Sequence, residues 1–300
     1  DGNDPVWQAK RNAFFGKTSE GDEKDCKGRY ADNDELKYSL RSIEMYAPWI
    51  RKIFIVTDNQ VPQWLDTSNP KIKIIDHTEI LPEESLPCFN SSLIGHYVYR
   101  IPGLVEHFLQ ANDDTFINKE VNPDFFFPVG PSDNTPKAQA VQEAALVLEE
   151  EHTKEPLKNW SKTIERTSQL VYEKCGKYYT AMPHHNIGAY RKSNCKHVAE
   201  EVMRDEFLAN NKNHIRSNDD VQHVVFSYVA LAEKTGVLRY VTDKESMYVK
   251  IHRQRYYKLL EKRNPALFCL NDSEYATDND RAMEKAYLGK RFPEKSSFEK

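Results

Sequence analysis

Leu36, Leu40, Ile43 and Ala47 recur at three- and four-residue intervals behind the polar run Asp32-Asn33-Asp34. That spacing predicts an amphipathic helix with a polar N-cap, closed by Pro48. Ile53-Phe54-Ile55-Val56 is instead an unbroken apolar run ending in Thr57-Asp58-Asn59, which predicts a buried strand and its exit loop. Ile72-Lys73-Ile74-Ile75 repeats the arrangement and ends at Asp76-His77. Asn90-Ser91-Ser92 offers a cap to a helix carrying Leu93, Tyr97 and Ile101, interrupted by Pro102-Gly103. Phe108-Leu109-Gln110-Ala111 predicts a further strand, running into Asn112-Asp113-Asp114. Strands alternating with helices imply right-handed crossovers, hence an α/β fold with a mainly parallel sheet flanked by helices.

Beyond residue 120 the pattern changes. Residues 123–136 form a Pro-rich connection. Residues 138–152 and 157–175 predict two helices, the second with Leu157, Trp160, Ile164, Ser168 and Val171 on one face. The expected organisation is a single domain over 1–300 with a helical insertion at 120–178. That insertion either covers the site or binds an acceptor, or is a packing layer over the sheet. Met182-Pro183-His184-His185-Asn186 reads as a loop, 194–210 and 219–234 as helices, and 248–251 and 267–270 as strands. The last strand runs into Asn271-Asp272.

Composition narrows the class. The 300 residues carry 42 basic and 46 acidic side chains, a net charge of −4, which excludes a generally basic nucleic-acid binder. An aromatic share of 11% without low-complexity tracts argues against disorder. The cysteines at 26, 88, 175, 195 and 269 form no CxxC pair, so no structural zinc site is expected, and their odd number fits a reducing compartment. No apolar run approaches the roughly 20 residues of a membrane span, and no signal peptide is visible. The opening Asp1-Gly2-Asn3-Asp4-Pro5 is loop chemistry, from which upstream sequence is expected.

The common glycine phosphate cradles and HExxH are absent, and no nucleophile elbow recommends Ser-His-Asp catalysis. Acids cluster instead at predicted strand ends: Asp76, Asn112-Asp113-Asp114 and Asn271-Asp272. Open α/β sheets bind ligands beyond the carboxyl ends of their strands. Hard oxygens there suit Mg²⁺ or Mn²⁺ bridging to phosphates. If residues 112–114 stay extended, Asn112 and Asp114 face one way and Asp113 the other. The alternative for any one pair is an ordinary turn or cap. His184-His185 sits in a loop, where a histidine serves as a base or caps a turn. Arg216 lies at a predicted helix start, an unfavourable place for a cation, which an anionic ligand or the neighbouring acids would offset. The basic stretch from Lys250 to Arg263 faces a membrane or polyanion, or is a solvated helix face.

Together these residues carry a resemblance. Arg29-Tyr30-Ala31-Asp32-Asn33-Asp34-Glu35-Leu36-Lys37-Tyr38-Ser39-Leu40-Arg41-Ser42-Ile43-Glu44 continues into Ala47-Pro48-Trp49-Ile50 and Ile53-Phe54-Ile55-Val56-Thr57-Asp58-Asn59-Gln60. The run goes on through Leu86-Pro87-Cys88-Phe89-Asn90-Ser91 to Asn112-Asp113-Asp114. It resembles the longest signature block of the Stealth family, sugar-1-phosphate transferases of bacterial capsule synthesis related to the Golgi enzyme that builds the mannose-6-phosphate lysosomal tag. Asp1-Gly2-Asn3-Asp4 is similar to the end of that family's first block, which follows an apolar strand; such a strand is expected ahead of this chain. Residues 182–224 resemble the third block and Phe268-Cys269-Leu270-Asn271-Asp272 the fourth. The resemblance covers most of the chain outside 120–178. Gly95 departs from the pattern, where an acidic residue is usual, and takes no role from it.

The resemblance implies a GT-A-like fold with helical additions, over one catalytic domain. It implies transfer of a hexose- or N-acetylhexosamine-1-phosphate from a UDP-sugar to a sugar hydroxyl of an oligosaccharide or polysaccharide, with release of UMP. Asp113 and Asp114 are then the metal and diphosphate end, holding Mg²⁺ or Mn²⁺, with Asn112 in support. His184 is the candidate base, with His185 as its alternative, and Arg216 steadies the transferring phosphoryl group. Asp1, Gly2 and Asn3 contact the nucleotide, Arg41 is a further substrate contact, and Asn271-Asp272 complete the floor. A cytoplasmic location follows by analogy, peripheral to the inner membrane face beside capsule assembly machinery. The competing readings are a GT-A glycosyltransferase releasing UDP and a non-catalytic carbohydrate-binding module.

Overall fold

The computed structural model describes residues 2–15, 27–128, 138–146 and 159–300. Asp4 starts the first helix by accepting hydrogen bonds from the backbone N–H groups of Val6 and Trp7, at 2.8 and 3.1 Å. Helix α1 then spans Pro5–Phe15, with proline at its first position, where no N–H is needed. Helix α2, Glu35–Tyr46, is the amphipathic helix the spacing predicts, and it buries Tyr38 and Leu40. Its start is made differently from expectation. Asp34 adopts a left-handed backbone, φ 67°, and caps nothing; Glu35 reaches back instead and accepts from the Asn33 N–H at 2.6 Å.

Strands β1 (Ile53–Thr57) and β2 (Ile72–Asp76) pair in parallel, Ile53 opposite Ile72. Asp76 forms a capping box with Glu79 at the start of α3, His77–Ile80. This strand-end acid is therefore a cap. Asn90 caps α4, Ser91–Tyr97, by accepting from the Ser92 N–H. The chain continues through β3 (His107–Gln110), β4 (Thr115–Ile117), α5 (Pro123–Phe126), β5 (Ala138–Leu146), α6 (Asn159–Cys175), β6 (Ala181–Pro183) and β7 (Gly188–Arg191). Helices α7 (Lys192–His197), α8 (Arg204–Asn210) and α9 (Val225–Ala232) follow. Strands β8 (Gly236–Tyr240) and β9 (Ser246–Lys250), helix α10 (Arg255–Arg263), strand β10 (Leu267–Asn271) and helix α11 (Asp278–Arg291) complete it.

The α/β class stands. Among the described residues the pairings β1–β2, β9–β10 and β5–β8 are parallel, while β3–β7, β4–β10 and β5–β6 are antiparallel. They form four small sheets. The predicted helix over 138–152 is corrected: Ala138–Leu146 is a strand, and 147–152 lie outside the described residues. Its alanine- and glutamine-rich sequence favours a helix in isolation, but β6 and β8 pair with it on both edges and override propensity. The described residues of the segment 120–178, expected to be helical, are accordingly mixed, with α6 as the long helix.

Strand β10 is the centre of one core: Leu267, Phe268, Cys269 and Leu270 are all buried, and Phe268 stacks with Phe116 and Phe292. A second core gathers around α9, where Val225, Phe226, Tyr228 and Val229 meet Leu93 and Tyr97 of α4. A cleft of about 1360 Å³ is bordered by every residue of β1 and of β3. No helix among the described residues is long and apolar enough to cross a membrane.

Candidate active site

Strand β3 pairs with β7, and β4 pairs with β10, so the four residues from Ala111 to Asp114 carry the chain from one sheet to another. The Asn112 carbonyl closes this turn by accepting from the Thr115 hydroxyl at 2.6 Å. Asn112 and Asp113 consequently line the cleft, while Asp114 turns inward to β10. There Cys269 Sγ donates to Asp114 Oδ2 at 3.3 Å, and the Asn271 side chain also bonds the carboxylate. Cys269 and Asn271 are two apart on one strand and so share a face. Burial, and then each other's charge in the case of Asp113, raise both aspartate pKa values.

Strand β9 positions the histidines by the same period of two. Ser246 Oγ lies 3.3 Å from His184 Nδ1 and accepts from Asn186 Nδ2 at 2.8 Å. Two residues on, the Tyr248 ring packs edge-on to His185 at 5.3 Å, and its hydroxyl donates to Asn271 Oδ1 at 2.7 Å. His184 and His185 therefore diverge, and it is His185 that reaches Asp114. Burial lowers the pKa of each to about 4, helped by His185 for His184 and by Arg216 and Arg29 for His185. Both imidazoles are neutral at pH 7.

Arg216 is carried by the loop after α8. Its Nη2 donates to Ser91 Oγ at 2.5 Å, at the start of α4. The loop is pinned by two fully buried residues. Asn90 Nδ2 donates to the carbonyls of Asn213 and Ile215 and to Asp220 Oδ2, and Asp220 accepts further from Asn213 and the Ser217 N–H. The compensation expected for a cation at a helix start is thus distance: α9 begins only at Val225.

The residues around these elements match a known family model. Residues 29–134 match Stealth protein CR2, conserved region 2. An exopolysaccharide phosphotransferase of Lactiplantibacillus plantarum is 42% identical over half of this chain and 42% of its own length. One of Streptomyces coelicolor is 33% identical across the whole chain and 51% of its own length, and CpsY of Mycobacterium tuberculosis is 31% identical across the whole chain and 56% of its own. Residues 29–134 thus carry a conserved region of the Stealth family, and the chain is similar over its whole length to exopolysaccharide phosphotransferases. It spans about half the length of the curated relatives it matches. Among solved structures, mouse xyloside xylosyltransferase 1 aligns over 81% of this chain and 94% of its own, at 11% identity and a TM-score of 0.35.

Three groups that could bear on a divalent cation come together beneath the cleft. Asp114, His185 and Cys269 each place a ligand atom within 4.8 Å of the others. Asp114 Oδ1 and His185 Nε2 are shielded from solvent and have no hydrogen-bond partner, which is the condition a cation would satisfy. Burial holds the Cys269 pKa well above its ordinary value, so it is a thiol donor to Asp114 rather than a thiolate ligand. Asp113 stands outside this trio, facing the cleft.

Other expected contacts fall as follows. Gly2 and Asn3 line the cleft, and Asp1 lies outside the described residues. Gly2 is required there, because a Cβ would sit 2.4 Å from that of Tyr30. Arg41 is not at the cleft: its guanidinium makes two 2.7 Å bonds to Glu299 and a third to the Phe292 carbonyl. Asp272 is taken by Arg281, at 2.7 and 3.1 Å. Two groups escape sequence reasoning. Arg29 lines the cleft close enough to His185 to act on its charge. Beneath the aspartates, Asn33 Nδ2 bridges two buried acids, Glu35 at 2.8 Å and Glu284 at 3.1 Å. Burial and the charge of Asp113 push Glu35 to about 8, and burial and the charge of Glu35 push Glu284 well above its ordinary value. Glu35 occupies a capping position and Glu284 an ordinary helix position in sequence, so neither shows a signal before folding.

Proposed function

We propose that the chain transfers a sugar-1-phosphate from a UDP-sugar to a hydroxyl of an oligosaccharide or polysaccharide acceptor. The observation that carries this reading is the convergence of Asp114, His185 and Arg216 from three separate elements beside a large cleft lined by Gly2, Asn3 and Asp113. The naming of the relatives as exopolysaccharide phosphotransferases supports it.

The acceptor oxygen attacks the β-phosphorus of the donor. A phosphorus–oxygen bond forms to the acceptor, and the bond from that phosphorus to the bridging oxygen breaks. UMP leaves, and the sugar-1-phosphate stays intact as a phosphodiester. His184 takes the hydroxyl proton, since a neutral imidazole beside Ser246 has a nitrogen to receive it. Arg216, held by Ser91, opposes the charge on the phosphoryl oxygens. Asp114 and His185 would hold a divalent cation, which would supply charge neutralisation for the diphosphate. An imidazole among the donors favours Mn²⁺ over Mg²⁺. Positioning and charge compensation carry the catalysis.

Identifying the nucleotide product tests the proposal. Incubation with UDP-glucose or UDP-N-acetylglucosamine, Mn²⁺ and a glycan acceptor is expected to release UMP in proportion to acceptor consumed. Release of UDP would make the chain a glycosyltransferase. Glycan binding with no nucleotide product would make it a binding module. UMP formed equally without acceptor would reduce the activity to donor hydrolysis.

A further inference from the structure

Cys269 is fully buried on β10, yet its thiol is not enclosed by apolar groups alone: Sγ donates to Asp114 Oδ2 at 3.3 Å. Three unlike donors meet there, a carboxylate oxygen, an imidazole nitrogen and a sulfur, all within 4.8 Å of one another. They come from the turn after β3, the loop after β6 and strand β10. A tetrahedral Zn²⁺, with bonds of about 2.0–2.2 Å to oxygen and about 2.3 Å to sulfur, holds those two ligands about 3.6 Å apart. The Cys269–Asp114 spacing is already close to that. The imidazole, no more than 4.8 Å from either, has little more than about 1 Å to close.

The surroundings suit a metal. Asp114 Oδ1 and His185 Nε2 are shielded from solvent with no hydrogen-bond partner, a rare state for buried polar atoms. Outer groups hold the donors in place. The Asn271 side chain bonds the Asp114 carboxylate, and Tyr248 donates to Asn271 at 2.7 Å while its ring packs edge-on to His185. Such supports orient the ligands of metal sites.

The sulfur makes the set selective. Mg²⁺ takes oxygens and keeps several waters, so beside it Cys269 stays a thiol and stands aside. Zn²⁺ accepts all three donor types, exceeds Mn²⁺ in affinity for N, O and S sites, and deprotonates a thiol that coordinates it. The S–H bond breaks as the Zn–S bond forms, and the proton leaves to solvent.

We propose that Asp114, His185 and Cys269 form a tetrahedral site for a thiophilic divalent cation, Zn²⁺ above all, with a fourth position open. The site stands on these donors alone. If the cleft is also a phosphotransferase site, the same ion bars Mn²⁺ from Asp114 and His185. One open position cannot chelate a diphosphate through two oxygens, so Zn²⁺ halts UMP release.

Co²⁺ serves as the probe, because a thiolate bound to Co²⁺ absorbs strongly in the near ultraviolet and tetrahedral Co²⁺ absorbs in the visible. The full chain, stripped with chelator, is titrated with Co²⁺. Both bands should rise to one ion per chain, vanish with one equivalent of Zn²⁺, and survive a large excess of Mg²⁺. Cys269→Ser should abolish the near-ultraviolet band and weaken Zn²⁺ by about a hundredfold or more, since even a lost outer partner costs roughly 10–100-fold. His185→Ala, a loop substitution that leaves β10 intact, should weaken Zn²⁺ to a similar degree, so the test does not depend on the folding of the buried variant. A wild type without the near-ultraviolet band, a band retained by Cys269→Ser, or undiminished Zn²⁺ affinity in His185→Ala overturns the site. Displacement of Co²⁺ by Mg²⁺ as readily as by Zn²⁺ overturns it too. UMP release that continues with Zn²⁺ bound overturns the exclusion of Mn²⁺. A protein that binds Zn²⁺ at the trio but forms no UMP with Mn²⁺ leaves the site standing and removes the phosphotransferase reading.

Discussion

Glu284→Gln probes the acids beneath the site. Glu284 is 0% exposed; its Oε2 accepts from Asn33 at 3.1 Å, and its Oε1 has no partner. Glu35, 5% exposed, shares the same amide. With no cation among their hydrogen-bond partners in the described residues, two ionised carboxylates here would repel each other in a medium that screens poorly. The native state therefore holds a proton on Glu284 that the unfolded chain releases above about pH 4.3. A raised acid pKa makes stability fall as pH climbs through that window, by about 1.4 kcal/mol per pH unit for one whole proton. Glutamine has the shape of the protonated acid and no proton to lose. Its advantage over wild type should be small near pH 4 and widen by about 1.4 kcal/mol per pH unit as pH rises above the ordinary carboxylate range. At roughly 2–4 °C per kcal/mol for a chain of this size, the melting-temperature gap grows by about 3–6 °C per pH unit. Thermal unfolding followed by circular dichroism across pH 4–8 measures it. Parallel curves for the two proteins, or a deficit for Glu284→Gln that widens with pH, would show an ionised native Glu284 and refute the reasoning.

Arg216→Ala should lower turnover by about 10²–10³ with melting little changed, and Arg216→Lys should recover only part, because a point charge cannot reproduce the guanidinium fork. His185→Ala should raise the Mn²⁺ concentration needed for half-maximal activity, whereas His184→Ala should leave that concentration alone and lower kcat by about 10²–10⁴; a reversed pattern would exchange the two roles. Arg41→Ala should cost about 1.5–3 kcal/mol of stability, because Glu299 loses its counter-charge and keeps only the Ser296 N–H and hydroxyl, yet the folded fraction should keep its kcat. Burial opposes the Glu299 charge, but Arg41 outweighs it and lowers the pKa, so this contribution is present above about pH 4.3 and is lost as pH falls below it.

Much of the frame was legible because local pattern and final burial agree there. The apolar run at 53–56 has only one way to be covered, and β1 follows it. Asp113 and Asp114 stood out because a strand ended on them. The strand at 138–146 was illegible, since its identity comes from two partners far away in sequence. Arg41 misled for a related reason: its place in a signature block says it matters, but only the fold shows that it matters to Glu299 and the C-terminal segment. Asp272 is similar, its charge spoken for by Arg281 on the following helix. The proposed division of roles between His184 and His185 rests on Ser246 and Tyr248, some sixty residues later.

The cleft borders β1 and β3 along their whole length, and among the described residues each strand pairs on one side only. Each strand therefore keeps one edge of backbone amides without a described strand partner, in a cleft also lined by Leu40, Ile43, Ile94 and Val98. Amide exchange should divide by parity there: groups turned toward β2 or β7 protected, their neighbours on the other edge exchanging quickly. Such an edge is a template for any extended apolar segment, including one from another copy. Handling this chain at high concentration thus carries a risk seated at the same cleft that Gly2 and Asn3 line, and a peptide that settled on either strand edge would block the cleft without touching an acid.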